Sequence, residues 1–390
     1  MNAPENQVVI IGAGSAGLAA ALSLSDLSVK SVVLDRGDLV GASWRSRYDR
    51  LRLNTGRQYS HLPKRRYAKG TPLFPTRDQV VAHLEQHSGE RGIELRLGTP
   101  VERVVRRKPT GWGVVTPDGI VGTAHVVVAT GYAHTPVLPD WPGAATSFGG
   151  ELLHSSAYRN PTPFAGKRVV VVGAGSSGME IAHDLATGGA AKVWLSVRTP
   201  PNVMPRRGPA GRSNDVLARP LFHLPPRLAD AISRRARLSA FGDLSEFGLP
   251  IPEEGPFSRG HRLHVAPALV DLEVIDAVRD RSIEVVDALT SFDEGFAVLT
   301  DRTRLDADVV IAATGYRCGL EPLVGQLGVL TDAGVPRVGG DVAAEPGLWF
   351  LGLWSWPSLI GYTSKQAERM AARIARAIAE ASRPKKNRLL

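Results

Sequence analysis

The chain has 390 residues, 43% hydrophobic and 22% charged, enough to bury two or three domain cores and too apolar for a disordered polymer. Its single cysteine, Cys318, excludes a disulfide-stapled scaffold, a CxxC redox pair and a cysteine-rich zinc site. The net charge of +9 is spread along the chain without a nucleic-acid-binding signature, and no window reaches the roughly 18 apolar residues of a membrane span, so neither partner is expected.

In chain order, Met1-Asn2-Ala3-Pro4 runs within a few residues into the strand-like Val8-Val9-Ile10-Ile11. That leaves no signal peptide, and a cytoplasmic location is expected. Gly12-Ala13-Gly14-Ser15-Ala16-Gly17 and an alanine-rich helix to Leu24 follow. Strand, GxGxxG and helix together form a dinucleotide cradle: Gly12 permits the turn, Gly14 lets backbone approach a pyrophosphate, and Gly17 seats helix on strand. A second strand, residues 31–34, ends in Asp35, 18 positions after Gly17, where a carboxylate accepts hydrogen bonds from ribose hydroxyls. Ser15 at the helix start and Arg36 beside the acid belong to the same expected site.

The construction returns at residues 168–172, then Gly173-Ala174-Gly175-Ser176-Ser177-Gly178, a helix to about Leu185 and a strand over residues 192–197. Here the strand leads into Arg198, 20 positions after Gly178, where a guanidinium pairs with a 2′-phosphate that a carboxylate would repel. NADPH is therefore expected in the second site. Arg206 and Arg207 either contribute to it or form a solvated loop pair. The halves close alike, in Ala129-Thr130-Gly131-Tyr132 and Ala313-Thr314-Gly315-Tyr316, but the second is about 23 residues longer. The excess falls in a Pro- and Arg-rich insertion, residues 200–267, read as a lid or docking surface or as a passive surface excursion.

After Tyr316 come 74 residues with no third GxGxxG, so the first unit is expected to be discontinuous, residues 1–158 and 317–390, around a second unit of residues 159–316. The last element reads as an amphipathic helix over residues 364–382, with Thr363 and Gln366 as a capping box. Before it, Trp354, Trp356, Leu359, Ile360 and Tyr362 either wall a pocket or pack in the core. Two facing dinucleotide sites that differ at the ribose residue suggest hydride transfer from NADPH to a flavin, with FAD in the first site. One cysteine closes the disulfide route for the electrons, leaving oxygen or an external carrier.

Between the halves, Phe148-Gly149-Gly150-Glu151-Leu152-Leu153-His154-Ser155-Ser156-Ala157-Tyr158 matches FxGxxxHxxx(Y/F), and the chain here resembles the flavin-containing monooxygenases. The related Baeyer–Villiger enzymes usually carry Trp where Tyr158 stands. His154 is read as an orienting residue in the linker between domains, without a proton-transfer role. Gly41-Ala42-Ser43-Trp44-Arg45 looks like the family's flavin-contacting segment, and Val101, Thr130, Thr314 and Gly315 join the cofactor set. Residues 48–55 look like the stretch whose Asn lies against flavin and nicotinamide, which makes Asn54 the catalytic candidate. Glu246-Phe247-Gly248-Leu249-Pro250 and Gly347-Leu348-Trp349-Phe350-Leu351-Gly352 are similar to plant indole-3-pyruvate monooxygenases, which tend to carry His at the Asn54 position.

The resemblance implies an α/β fold of two Rossmann-like domains, the glutathione-reductase-like FAD/NAD(P)-binding arrangement with the second domain inserted in the first. It implies FAD and NADPH as cofactors and, through a C4a-(hydro)peroxyflavin, transfer of one oxygen from O2 to a small-molecule substrate at nitrogen, sulfur or an indole-like carbon. A homodimer is compatible with it, and no metal pattern is present. Ketone oxygenation and reduction of a non-thiol acceptor are the alternatives.

Overall fold

The computed structural model describes residues 7–354 and 359–382. Two parallel five-stranded sheets organise it. The first runs Leu348–Phe350, Val126–Val128, Val8–Ile11, Ser31–Leu34, Ile93–Arg96. Its two central strands are fully buried apolar runs, as a parallel sheet covered on both faces requires. The second runs Glu284–Val286, Lys192–Ser196, Arg168–Val172, Val309–Ala312, Glu151–His154. In each, the strand before the glycine loop is central, with its successor on one side and the closing Val-rich strand on the other.

Continuity of the first sheet explains the missing third glycine motif. After the second sheet the chain returns to place Leu348–Phe350 at the first sheet's edge, beside Val126–Val128. The C-terminal helix Leu359–Ala381 then packs on the first nucleotide helix, Ser15–Ser25, burying Ala367, Met370, Ala371 and Ile374 against Leu18 and Leu22. The second Rossmann-type unit is thus inserted in the first. Each sheet is also accompanied by a small antiparallel sheet, Arg103–Arg106 with Trp112–Thr116 and Gly119–Thr123, and Leu289–Asp293 with Phe296–Leu299 and Arg304–Leu305.

Two local expectations are corrected. His154 does not lie in a linker: Glu151–His154 pairs with Val309–Ala312 as the edge strand of the second sheet. The Gly150 backbone lies so close to Asp308 that a Cβ would sit 2.5 Å from its carbonyl oxygen, and Glu151 N–H donates to that oxygen at 3.0 Å. The C-terminal helix begins at Leu359 rather than Ser364, so Thr363 and Ser364 lie inside it and form no capping box. Packing extends it upstream, because Ile360 is buried in the first core and Gly361 lies against the Tyr59 carbonyl.

Residues 200–267 form a helical layer over the gap between the sheets. Val203–Pro205 pairs with Ala268–Val270, and between them run the helices Asn214–Ala218, Pro226–Phe241 and Pro256–Leu263. Two of the three start with proline, whose missing N–H costs nothing there. Pro226–Phe241 buries Ala229, Ser233, Arg237 and Phe241, a stripe of spacing four whose Phe241 joins the second core and whose Ser233 lines the cavity described below.

Candidate functional site

The carboxyl ends of both sheets open into one cavity of about 2180 Å³. This exceeds the roughly 300–1,000 Å³ usual for one small-molecule site. At the first glycine loop, Gly12 has φ +112° and a Cβ there would lie 2.6 Å from the Ala129 carbonyl oxygen. A Cβ on Gly17 would lie 1.8 Å from the Gly12 carbonyl oxygen. Around Gly14 there is nothing within 4 Å. Tight turn, seated helix and an open face are the three demands of a pyrophosphate cradle. The second loop repeats them: Gly173 has φ +111°, Gly178 meets the Gly173 carbonyl at 1.8 Å, and Gly175 is open.

Gly12, Gly14, Ser15, Asp35, Arg36 and Trp44 line the cavity, with Val101 and Thr130 beside them. Gly175, Ser176, Ser177, Gly178, Thr314 and Gly315 line its other side. Gly17 and Gly173 do not; they work through packing. Asp35 braces the first loop, its carboxylate oxygens accepting from Ala13 N–H at 2.6 Å and Gly37 N–H at 2.7 Å. Each oxygen keeps a further acceptor position. The Thr314 hydroxyl is spent on the Val137 carbonyl, whereas Thr130 Oγ1 is buried with no partner. Arg45 points away, its guanidinium on the Glu85 carboxylate and the Val40 carbonyl. Arg198 is exposed just beyond the strand Lys192–Ser196, outside the cavity lining.

Asn54 lies on the cavity wall with its Oδ1 buried and partnerless. A buried amide oxygen left unmade costs about 1–3 kcal/mol, so such a group is aimed at something the folded chain does not supply. Nearby, charges tie the units together. The Tyr48 hydroxyl bonds Glu180 on the second nucleotide helix, Glu180 pairs with Arg206, and Arg206 reaches Asp271 at 3.2 Å. Burial pushes the Tyr48 hydroxyl up to about 12, against the pull of the Arg206 charge. Arg206 is 4% exposed, so the solvated-pair alternative fails for it. Arg207 lines the cavity with its guanidinium 5.1 Å over the Phe74 ring.

The insertion supplies the cavity's far wall through Phe222, Ile232, Ala236, Ala240 and Phe257, so it is not a passive excursion. Ile360 and Tyr362 also line the cavity, while Trp354 packs in the first unit against Gly339. Trp356 and the Leu359 side chain fall outside the described residues. Cys318 is buried, burial pushes its thiol up to about 11, and its sulfur faces the Leu353 carbonyl at 3.6 Å. Among the described residues no helix is long and apolar enough to cross a membrane. Sequence reasoning missed Glu180 and Asp215, whose partners lie 132 and 159 positions away.

Two glycine cradles with open faces, opening on one cavity with partnerless buried oxygens, fit two dinucleotides and define a two-nucleotide flavoprotein oxidoreductase. Comparison narrows this class. The chain belongs to the flavin-binding monooxygenase-like family, whose model matches residues 108–326, and the pyridine nucleotide-disulphide oxidoreductase model matches residues 9–205. It is 36% identical to the indole-3-pyruvate monooxygenase YUCCA1 of Oryza sativa subsp. japonica, over 85% of this chain and 82% of that protein. A flavin-containing monooxygenase from Stenotrophomonas maltophilia superposes with a TM-score of 0.70 at 25% identity, over 96% of this chain and 98% of that one. Cyclohexanone monooxygenase, at 19% identity, shares the fold, with a TM-score of 0.71 over 96% and 88% of the two chains. The protein is an FAD-dependent monooxygenase that uses NADPH and O2 on a small-molecule substrate.

Proposed function

We propose that FAD occupies the cradle at Gly12–Gly17 in the discontinuous first unit, expected over residues 1–158 and 317–390, and that NADPH occupies the cradle at Gly173–Gly178 in the inserted unit, expected over residues 159–316, which also takes in the edge strand Glu151–His154. In this reading Gly14 and Gly175 admit the pyrophosphates, Asp35 and Arg36 hold the flavin nucleotide's ribose side, and Arg198 pairs with the 2′-phosphate of NADPH. Reduced flavin, when bound, supplies the chemistry that activates O2.

The protein's own part is to position and to keep dry. Asn54 is the proposed catalytic residue. Its carboxamide donates and accepts without titrating, so it holds both reaction partners' polar edges without delivering a stray proton. The observation that carries this is the buried, partnerless Oδ1 of Asn54 on the wall shared by both cradles. The Phe222–Phe257 edge-to-face pair, centroids 5.2 Å apart, gives the far wall an apolar aromatic character. It supports a substrate that presents a nitrogen, sulfur or indole-like carbon centre on an apolar body, acted on in the cytoplasm where NADPH is supplied.

The test is Asn54→Ala. The variant is expected to bind FAD and consume NADPH while the fraction of reducing equivalents released as hydrogen peroxide rises several-fold. Unchanged coupling would remove Asn54 from the site. Parallel assays with a thioether and a cyclic ketone separate heteroatom from ketone oxygenation.

A further inference from the structure

Asn54 stands at the head of a loop, residues 54–60, whose sole regular element is the single turn Arg57–Tyr59. Within it the Tyr59 N–H donates to the Gly56 carbonyl at 2.9 Å and the Thr55 and Ser60 hydroxyls meet at 2.5 Å, while the Arg57 N–H donates to the Leu73 carbonyl at 2.8 Å; Asn54 and Gly56 are held besides by what packs on the loop. One side is fixed by the C-terminal helix, where a Cβ on Gly361 would lie 1.7 Å from the Tyr59 carbonyl oxygen. The other side is fixed by the insertion. The Gly56 N–H donates to both carboxylate oxygens of Asp215, at 3.2 and 3.3 Å. Gln58 Nε2 donates to Ser213 Oγ at 3.3 Å, and the Arg219 guanidinium lies 4.5 Å over the Tyr59 ring. Gly56 is buried so closely on this partner that a Cβ would come within 2.5 Å of Ser213 Oγ.

We infer that Asp215 is a positioning residue for oxygenation: through the Gly56 amide it sets where the Asn54 carboxamide stands, two residues away. The inference rests on the reading of Asn54 given above. Asp215 is suited to this because a carboxylate is an acceptor with no donor of its own, and charge-assisted bonds to a backbone N–H are the stronger kind. It lines the same cavity as Phe222 and Ile232, so the layer that walls the substrate space also fixes the loop that carries Asn54. The two halves of the reaction are separated by this arrangement. FAD retention depends on the first glycine loop, while the yield of oxygenated product depends on a contact made 159 positions along the chain.

The experiment compares Asp215→Ala, Asp215→Asn and Asn54→Ala with the parent holoenzyme. Asp215→Ala is expected to retain FAD, to speed hydrogen exchange of the amides over residues 54–60 at least tenfold, and to raise the hydrogen peroxide fraction several-fold. Asp215→Asn keeps one acceptor oxygen and is expected to restore both protection and coupling. If Asp215→Ala is too unstable to purify, Asp215→Ser, too short to reach Gly56, carries the same expectation. Parent-like exchange and coupling in Asp215→Ala, or an Asp215→Asn as uncoupled as the alanine variant, would overturn the inference. A coupled Asn54→Ala would overturn the Asn54 reading and the inference with it. An uncoupled Asn54→Ala beside a coupled Asp215→Ala would overturn the inference alone.

Discussion

His154 Nε2 lies 3.1 Å from the carbonyl oxygen of Gly315, tying the second sheet's edge strand to the loop that closes the second unit. Its Nδ1 faces the Ser156 N–H at 3.0 Å. A backbone N–H only donates, so Nδ1 is the acceptor and the ring is the neutral tautomer carrying its proton on Nε2. Burial, against the pull of the Gly315 carbonyl, holds its pKa below the usual histidine value. Its contribution to stability is therefore fully present above the unfolded value of about 6.5 and is lost as pH falls towards the lower folded value. His154→Ala is expected to cost about 0.5–1.5 kcal/mol at neutral pH through the hydrogen bonds lost to the half-buried Ser156 N–H and the Gly315 carbonyl, and to flatten the acid side of the stability profile. Denaturant melts from pH 5 to 8 check this, and a parent-like slope in the variant would refute it.

The two kinds of loop glycine are expected to fail differently. At Gly14 a methyl group meets nothing in the protein, so Gly14→Ala folds with a melting temperature near that of the flavin-free parent and does not retain flavin. At Gly17 the same methyl lies 1.8 Å from the Gly12 carbonyl oxygen, so Gly17→Ala loses stability by several kcal/mol even before cofactor binding. Melting curves with the flavin absorbance of the purified variants distinguish the two, and a yellow Gly14→Ala would count against the first cradle.

Arg198 is exposed and pairs with no carboxylate among the described residues, leaving its fork free for a phosphate. Arg198→Ala is expected to raise the KM for NADPH about 10- to 100-fold, the loss of a charge-assisted contact of roughly 1.5–3 kcal/mol, and to change that for NADH little. Initial rates with both coenzymes decide it; equal losses would move the 2′-phosphate to another cation, with Arg207 the next to test.

What could be read from the amino-acid order was what the chain determines locally. Val8–Ile11 and Arg168–Val172 with their glycine loops announce themselves because turn, close approach and helix seat all fall within ten residues. The pairing of Glu151–His154 with Val309–Ala312 was not legible, since its partner is fixed across the inserted unit and the segment's own pattern is short and mixed. The partner of Arg45 was not legible either, because Glu85, which holds its guanidinium, stands 40 positions on, on the helix Arg77–Ser88. Asp215 gave no signal: one acid in an Arg-rich stretch acquires a role only when Gly56 is brought beneath it.

The cradles are made chiefly of main chain and the far wall of side chains, and that wall comes from one uninterrupted stretch of sequence. Ile232, Ala236 and Ala240 contribute from a single helix, Pro226–Phe241, two of them as short as alanine. With the proposed substrate space against this wall, retargeting the enzyme is expected to be a matter of repainting one surface. Bulk added at Ala236 or Ala240 narrows the chamber and bulk removed at Ile232 widens it, while the machinery that handles the coenzymes stays untouched.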